Sequence, residues 1–247
     1  MKRMLFCCLL TACTRTTDLL PPPADAQRTP PRSDAGTTTP LALCGNRACA
    51  CANGIDDDGD GLVDGFDPEC SAPFDDREES FATGVHGEGQ DMKCQDCFFD
   101  DDSGGQCKRA RSCSLDGTAS SATGACRTCS VEASCAADCL PRVPNGCDCY
   151  GCCAVWRDGA QVANVLLSAS CSLATLDDPS SCVRCLPAPD CQNPCGECEL
   201  CTGRVVGDLP ASCGATPVCE GGTSCRAESD CPSFQYCLQG CCVPTGF

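Results

Sequence analysis

Aromatic side chains make up 4% of this 247-residue sequence, and isoleucine (Ile55), histidine (His86) and tryptophan (Trp156) each occur once. So thin a supply of large apolar groups excludes a single large hydrophobic core. Ordering roughly 200 residues costs on the order of 200–400 kcal/mol of conformational entropy, which burial of the available Leu, Val and Phe cannot offset alone. Basic residues are scarce too: 17 Lys and Arg face 34 Asp and Glu, a net charge of −17, and a surface of that sign repels nucleic acid and anionic headgroups. No long helical period runs through the chain. His86 sits in Gly84-Val85-His86-Gly87, a loop composition without a placed nucleophile or partner base, so the sequence offers no catalytic residue.

Cysteine is what the chain has in abundance, at 33 residues. That density reads as a disulfide scaffold. Each bridge contributes about 2–4 kcal/mol by restricting the unfolded chain, and small modules without adequate cores depend on such links. The expected fold is therefore a series of small disulfide-rich modules, mostly irregular with a few short β-hairpins and no large hydrophobic core.

The chain starts Met1-Lys2-Arg3, continues with a short apolar run from Met4 to Leu10, and reaches Leu10-Thr11-Ala12-Cys13. The run is too short to span a membrane. This segment resembles a bacterial lipoprotein signal peptide, which implies cleavage before Cys13 and lipidation of Cys13 itself. Thr14, a residue other than Asp after the lipidated cysteine, then favours the outer membrane or cell surface over the inner membrane. Parity agrees: cleavage removes Cys7 and Cys8 and lipidation occupies Cys13, so thirty of the 33 cysteines remain, enough for fifteen bridges. Loss of Lys2 and Arg3 takes the charge from −17 to −19.

After signal peptide 1–12, residues 13–43 are rich in Pro, Thr, Ala and Asp and read as a disordered tether behind the lipidated cysteine. Folded material begins at Cys44. Composition and turn signals divide it into a calcium-loop module at 44–75, a cysteine-rich module at 76–153, a hairpin and cysteine-rich module at 154–212, and a C-terminal disulfide module at 213–247. The best strand pair is Ala154-Val155-Trp156 and Gln161 to Leu167, joined through Arg157-Asp158-Gly159, because Asp-Gly suits the positive φ of a hairpin turn.

The strongest chemical motif runs from Asp56 to Asp67. Counting Asp56 as position one places carboxylates of Asp56, Asp58, Asp60, Asp64 and Asp67 at positions 1, 3, 5, 9 and 12, with Gly61 at the sharp turn and the Leu62 backbone carbonyl at position seven. A chain curling around one hard cation must present alternate oxygens in this way, and glycine accepts the turn. With Asn53-Gly54-Ile55 leading in, the segment resembles the calcium loops of thrombospondin type 3 repeats and dockerins, and the metal-binding motif of many exported bacterial proteins. The resemblance implies bound Ca2+ in a structural role. Pro68 and Cys70 follow at once, so no exiting helix is expected; Cys44, Cys49, Cys51 and Cys70 bracket the loop and are placed to clamp it instead. A second acidic stretch, Asp96 and Asp100-Asp101-Asp102 to Gly105, lacks that rhythm and reads as a solvated loop.

Cys94/Cys97, Cys126/Cys129, Cys149/Cys152, Cys182/Cys185 and Cys195/Cys198/Cys201 have zinc-like spacing. In an oxidising compartment, without nearby histidine, disulfides are the favoured outcome. Adjacent pairs Cys152-Cys153 and Cys241-Cys242 should each reach two different partners. The ending from Cys225 through Cys241-Cys242-Val243-Pro244 is similar to small disulfide modules of secreted bacterial proteins and to Dickkopf-type cysteine-rich domains.

These features point to a surface-anchored, non-enzymatic binding or scaffold lipoprotein. Its partners would be the membrane through the lipid anchor and an extracellular protein or glycan, with no nucleic acid. Trp156, Tyr150, Phe98, Phe99, Phe234 and Tyr236 are the candidate contact aromatics. Thiolate sequestration of zinc or copper, which predicts reduced cysteines, and an exported enzyme, which requires a free thiol or placed base, are the alternatives.

Overall fold

Thirty cysteines from Cys44 to Cys242 pair into fifteen disulfides that fall into five consecutive groups along the chain. The computed structural model describes residues 42–84, 93–99, 107–119, 126, 128–214, 217–219 and 222–244. The signal segment, Cys13, most of the tether, His86 and the acidic residues 100–105 lie outside the described residues. Bridges close segments 44–70, 94–139, 147–191, 195–213 and 219–242. No bridge joins one segment to another. The fold is thus a row of small stapled modules.

None of the Cys-x-x-Cys pairs closes on itself, although within the Cys195/Cys198/Cys201 set Cys195 joins Cys201. Cys94 joins Cys126, Cys97 joins Cys139, Cys149 joins Cys191, Cys152 joins Cys185, Cys182 joins Cys171 and Cys198 joins Cys213. The adjacent pairs diverge as expected, Cys153 to Cys147 beside Cys152 to Cys185, and Cys241 to Cys219 beside Cys242 to Cys231.

The module borders differ from the sequence division in two places. The border at 153/154 cuts a strand, and the Cys149–Cys191 and Cys152–Cys185 bridges span it. Cys152 and Cys153 are fully buried and fill strand positions as small apolar residues do, which moves the border back to the stretch between Cys139 and Cys147. The border at 212/213 is crossed by Cys198–Cys213 and moves to the far side of Cys213.

Regular structure is short and local. Among the described residues, four separate two-stranded antiparallel sheets pair β1 (Leu43–Cys44) with β2 (Arg47–Ala48), β3 (Cys94–Gln95) with β4 (Arg109–Ala110), β5 (Cys152–Arg157) with β6 (Ala160–Leu166), and β7 (Gln235–Leu238) with β8 (Cys241–Pro244). The β5–β6 turn is Asp158-Gly159 at φ 53° and 74°, and the β7–β8 turn is Gln239-Gly240 at φ 49° and 78°. Two successive positive φ values match the twist of the flanking strands. The α-helices among the described residues, α1 (Arg111–Leu115) and α2 (Ala133–Cys139), are one to two turns long.

Eight of the eighteen buried residues in the largest apolar cluster are cysteines, packed with Phe81, Phe98, Phe99, Tyr150, Val155, Val165 and Leu176. Sulfur therefore supplies much of the packed volume as well as the crosslinks. Backbone hydrogen bonds stitch one segment to the next: Phe98 N–H to Cys149 O at 2.8 Å, Leu186 N–H to Ser114 O at 2.7 Å, Trp156 N–H to Thr202 O at 2.9 Å and Val218 N–H to Cys198 O at 2.9 Å. The last segment also packs on the first. Tyr236, fully buried, donates its hydroxyl to the Cys51 carbonyl at 2.6 Å, and Gln239 N–H donates to Gly65 O at 2.6 Å.

Candidate metal centre

The acidic loop is wound by its own carboxylates. Asp56 accepts from Gly59 N–H at 2.7 Å and Gly61 N–H at 3.0 Å, Asp58 from Asp60 N–H at 3.0 Å, and Asp60 from Leu62 N–H at 2.7 Å. Each bond turns the backbone towards the next aspartate. Gly59 and Gly61 adopt φ of 86° and 96°, values that side chains resist, in open space where a Cβ would meet nothing. Glycine is required there for conformation alone.

Carboxylate oxygens of Asp56, Asp58 and Asp60 all lie within 4.8 Å of one another. Calcium–oxygen distances of about 2.3–2.6 Å allow ligand atoms on opposite sides of one ion to be about 5 Å apart. Those three side chains therefore fit around a single Ca2+. Burial raises the Asp60 carboxyl above its ordinary range, and the charges of Asp58 and Asp56 add to the effect.

The other expected ligands are distributed differently. Asp64 turns back to the start of the loop, at φ 49°, and its carboxylate accepts from Asn53 N–H at 3.1 Å and Gly54 N–H at 3.0 Å. It closes the neck rather than joining the three-carboxylate group, because two unpaired amides on the lead-in are the nearest donors. Leu62 is half-buried beside Asp60. Asp67 lies on the buried side, wholly shielded from solvent; its Oδ1 accepts from Glu69 N–H at 2.7 Å, and its carboxyl is hydrogen-bonded to the buried Glu69 carboxyl rather than joining the three-carboxylate group. Burial, reinforced by the Glu69 and Asp60 charges, pushes the Asp67 carboxyl up to about 9.

Glu78 is the functional residue that the motif pattern missed. It is 1% exposed, and its two oxygens accept from Asp57 N–H and, at 2.9 Å, from Asp64 N–H. One carboxylate thus pins both legs of the loop, fourteen and twenty-one residues away in sequence. Burial pushes its carboxyl up to about 7. Below it the Cys51–Cys70 bridge closes the same neck covalently, and Cys44–Cys49 fixes the approach. Short 3-10 turns at Ala50–Ala52 and Asp64–Phe66 stand where an EF-hand has helices. Clamping by disulfides, expected from the cysteine positions, is the observed arrangement, with Glu78 and Asp64 added.

No protein-family model matches this chain, and neither does any curated protein or solved structure. Its chemistry has to be argued from its own residues.

A second group, Cys225, Cys231 and Cys242, has sulfurs close enough to hold an ion, but Cys225 is bonded to Cys237 and Cys231 to Cys242. Paired sulfurs offer no thiolate. The same pairing throughout the described residues removes the ligands on which zinc or copper sequestration depends. Among the candidate contact aromatics, Phe98, Phe99, Tyr150 and Tyr236 are core residues. Trp156 is half-buried beneath the Arg204 guanidinium, 4.5 Å from its ring centroid. Phe234 alone of the six is open to solvent, at 84% exposure, and it is held at φ 67°. No helix among the described residues is long and apolar enough to cross a membrane.

Proposed function

We propose that this chain is a calcium-stabilised, disulfide-stapled lipoprotein, anchored to the outer membrane or cell surface through Cys13, that displays a rigid non-enzymatic binding surface. Fifteen bridges support an oxidising, extracytoplasmic setting. The observation that carries the calcium reading is the convergence of Asp56, Asp58 and Asp60, which bring one carboxylate oxygen each within 4.8 Å of one another in a loop of the calcium-binding pattern. Three such oxygens suit a hard cation; the Leu62 carbonyl and Asp67 are the further ligands that the pattern expects, with Asp64 and Glu78 holding the loop shut. The ion's role is structural: it neutralises the loop and fixes the first segment against the last. Phe234 marks the surface offered to an extracellular protein or glycan.

Isothermal titration of the mature chain is expected to show calcium binding in the weak extracellular range, about 0.1–1 mM, with a rise in melting temperature that chelator reverses. No heat and an unchanged melting curve reject the calcium reading. Membrane fractionation of Cys13→Ser is expected to release the protein, and continued membrane association rejects the anchor.

A further inference from the structure

Four cysteines of the last segment stand where a second pairing is within reach. Cys225 bonds Cys237 and Cys231 bonds Cys242, yet the sulfurs of Cys225, Cys231 and Cys242 all lie within 4.8 Å of one another. The fourth, Cys237, is directly opposite Cys242 in the β7–β8 register. Both backbone N–H groups turn away from the partner strand, Cys237 to the Glu228 carboxylate at 2.9 Å and Cys242 to the Thr223 carbonyl at 2.8 Å. Opposed residues that exchange no backbone hydrogen bond have Cα atoms about 4.5 Å apart, inside the range that a disulfide spans. Cys231, half-buried, is the most accessible of the four. Between Cys231 and Cys237 lies Phe234, held at φ 67° with its side chain in solvent. Side chains resist that backbone conformation, no burial of the ring offsets it, and the bridges on either side fix the stretch that carries it.

We propose that this knot is a redox-neutral disulfide switch, in which a small-molecule thiol catalyses exchange of Cys225–Cys237 and Cys231–Cys242 for Cys225–Cys231 and Cys237–Cys242. The external thiolate attacks Cys231 Sγ, forming a mixed disulfide and releasing Cys242 as a thiolate. Cys242 attacks Cys237 Sγ across the hairpin, forming Cys237–Cys242 and releasing Cys225. Cys225 then attacks Cys231 Sγ, forming Cys225–Cys231 and returning the small thiolate. Two disulfides break and two form, so no oxidant or reductant is consumed. In the observed pairing both bridges tie the 225–231 turn to the β7–β8 hairpin. After exchange each bond closes within its own element, and the Phe234 stretch is released. Phe66 of the first segment packs on this sulfur cluster, and Tyr236, next to Cys237, donates to the Cys51 carbonyl at 2.6 Å. The exchange therefore acts where the last segment docks on the first, and it loosens that contact. Nothing in it depends on calcium in the acidic loop.

The test incubates the full oxidised chain in glutathione buffers of rising concentration, quenches with acid, and reads the bridges by nonreducing digestion and tandem mass spectrometry. Cys225–Cys231 and Cys237–Cys242 links are expected in equal amounts, at a rate that rises with reduced glutathione and to a final level that does not. Amide exchange at Gln239 and around Gly65 should quicken as the new links accumulate. Observed links alone, net reduction without new links, or any other pairing among the four overturns the proposal. A second measurement isolates the cross-strand bond. Cys225→Ser with Cys231→Ser leaves Cys237 and Cys242 without their partners, and the two are expected to oxidise to one bridge that resists alkylation. Two alkylatable thiols in that variant, with the other bridges intact, overturn the proposal.

Discussion

Gly65→Ala should separate the first and last stapled segments while leaving each intact. A Cβ built on Gly65 would lie 2.0 Å from the Cys237 carbonyl oxygen and 2.9 Å from Tyr236 Cζ. Ordinary carbon–oxygen contact needs more than 3 Å, so the two backbones must part by about 1 Å. Neither partner can yield cheaply: Cys237 is in β7 and bridged to Cys225, and Tyr236 is 1% exposed. Parting breaks the Gln239 N–H to Gly65 O bond and the Tyr236 hydroxyl to Cys51 O bond, both 2.6 Å. Overpacking of this kind costs about 1–3 kcal/mol, and two buried hydrogen bonds add about 1 kcal/mol each. For a domain of this size each kcal/mol lowers the melting temperature by about 2–4 °C, so a fall of about 6–20 °C is expected in nonreducing calorimetry. Amide exchange should quicken at Gln239 and around Gly65 while segment 147–191 stays protected. A melting temperature within 2 °C of wild type, with Gln239 still protected, would refute the docking.

Three further outcomes are expected. Replacing Cys51 and Cys70 together by Ser opens a loop of nineteen residues, which should cost about 3 kcal/mol in thermal unfolding and weaken calcium binding, whereas a loss below 1 kcal/mol would contradict the clamp. Asp148 is fully buried and accepts from Tyr150 N–H and Cys152 N–H at 2.9 Å and Ala188 N–H at 2.7 Å; Asp148→Asn turns an amide donor towards one of these donors and should cost about 2–3 kcal/mol, read as a lowered melting temperature. In chelated protein, Asp67 is raised from 3.8 to about 9 and Glu78 from 4.5 to about 7, both mainly by burial. A raised carboxyl favours the protonated folded form, so its stabilising effect is complete below about pH 4 and is lost as pH climbs through 7 and 9. Melting curves without calcium should therefore fall over that window, saturating calcium should flatten the fall, and equal slopes with and without the ion would count against ligation by Asp67.

What could be read from the residues alone was whatever depends on neighbours in sequence. Cysteine parity gave fifteen bridges, and Asp158-Gly159 marked a turn that requires positive φ, so the β5–β6 hairpin was legible to within two residues at each end. The Asp56, Asp58 and Asp60 grouping was legible because alternate residues of one tight loop converge. Glu78, Glu69 and Tyr236 were not, since each acts on a partner between fourteen and nearly two hundred residues away. Asp64 shows the opposite failure. Its spacing fits a ligand, but the competing amides of Asn53 and Gly54 take its carboxylate, and a pattern of positions carries no information about rival donors. The module borders shifted for a related reason, as Cys152 and Cys153 serve at once as strand residues and as crosslinks.

Because every bridge closes within its own segment, oxidation can follow the chain as it emerges from the translocation machinery, N-terminal knot first. Thirty thiols released together have about 6 × 10^15 ways to pair, whereas groups of four, eight, eight, four and six pairing only among themselves have about 1.5 million. Vectorial export prunes that search before any isomerase acts. A late thiol cannot claim an early one that is already spoken for, and a mistake in one knot stays confined to that knot.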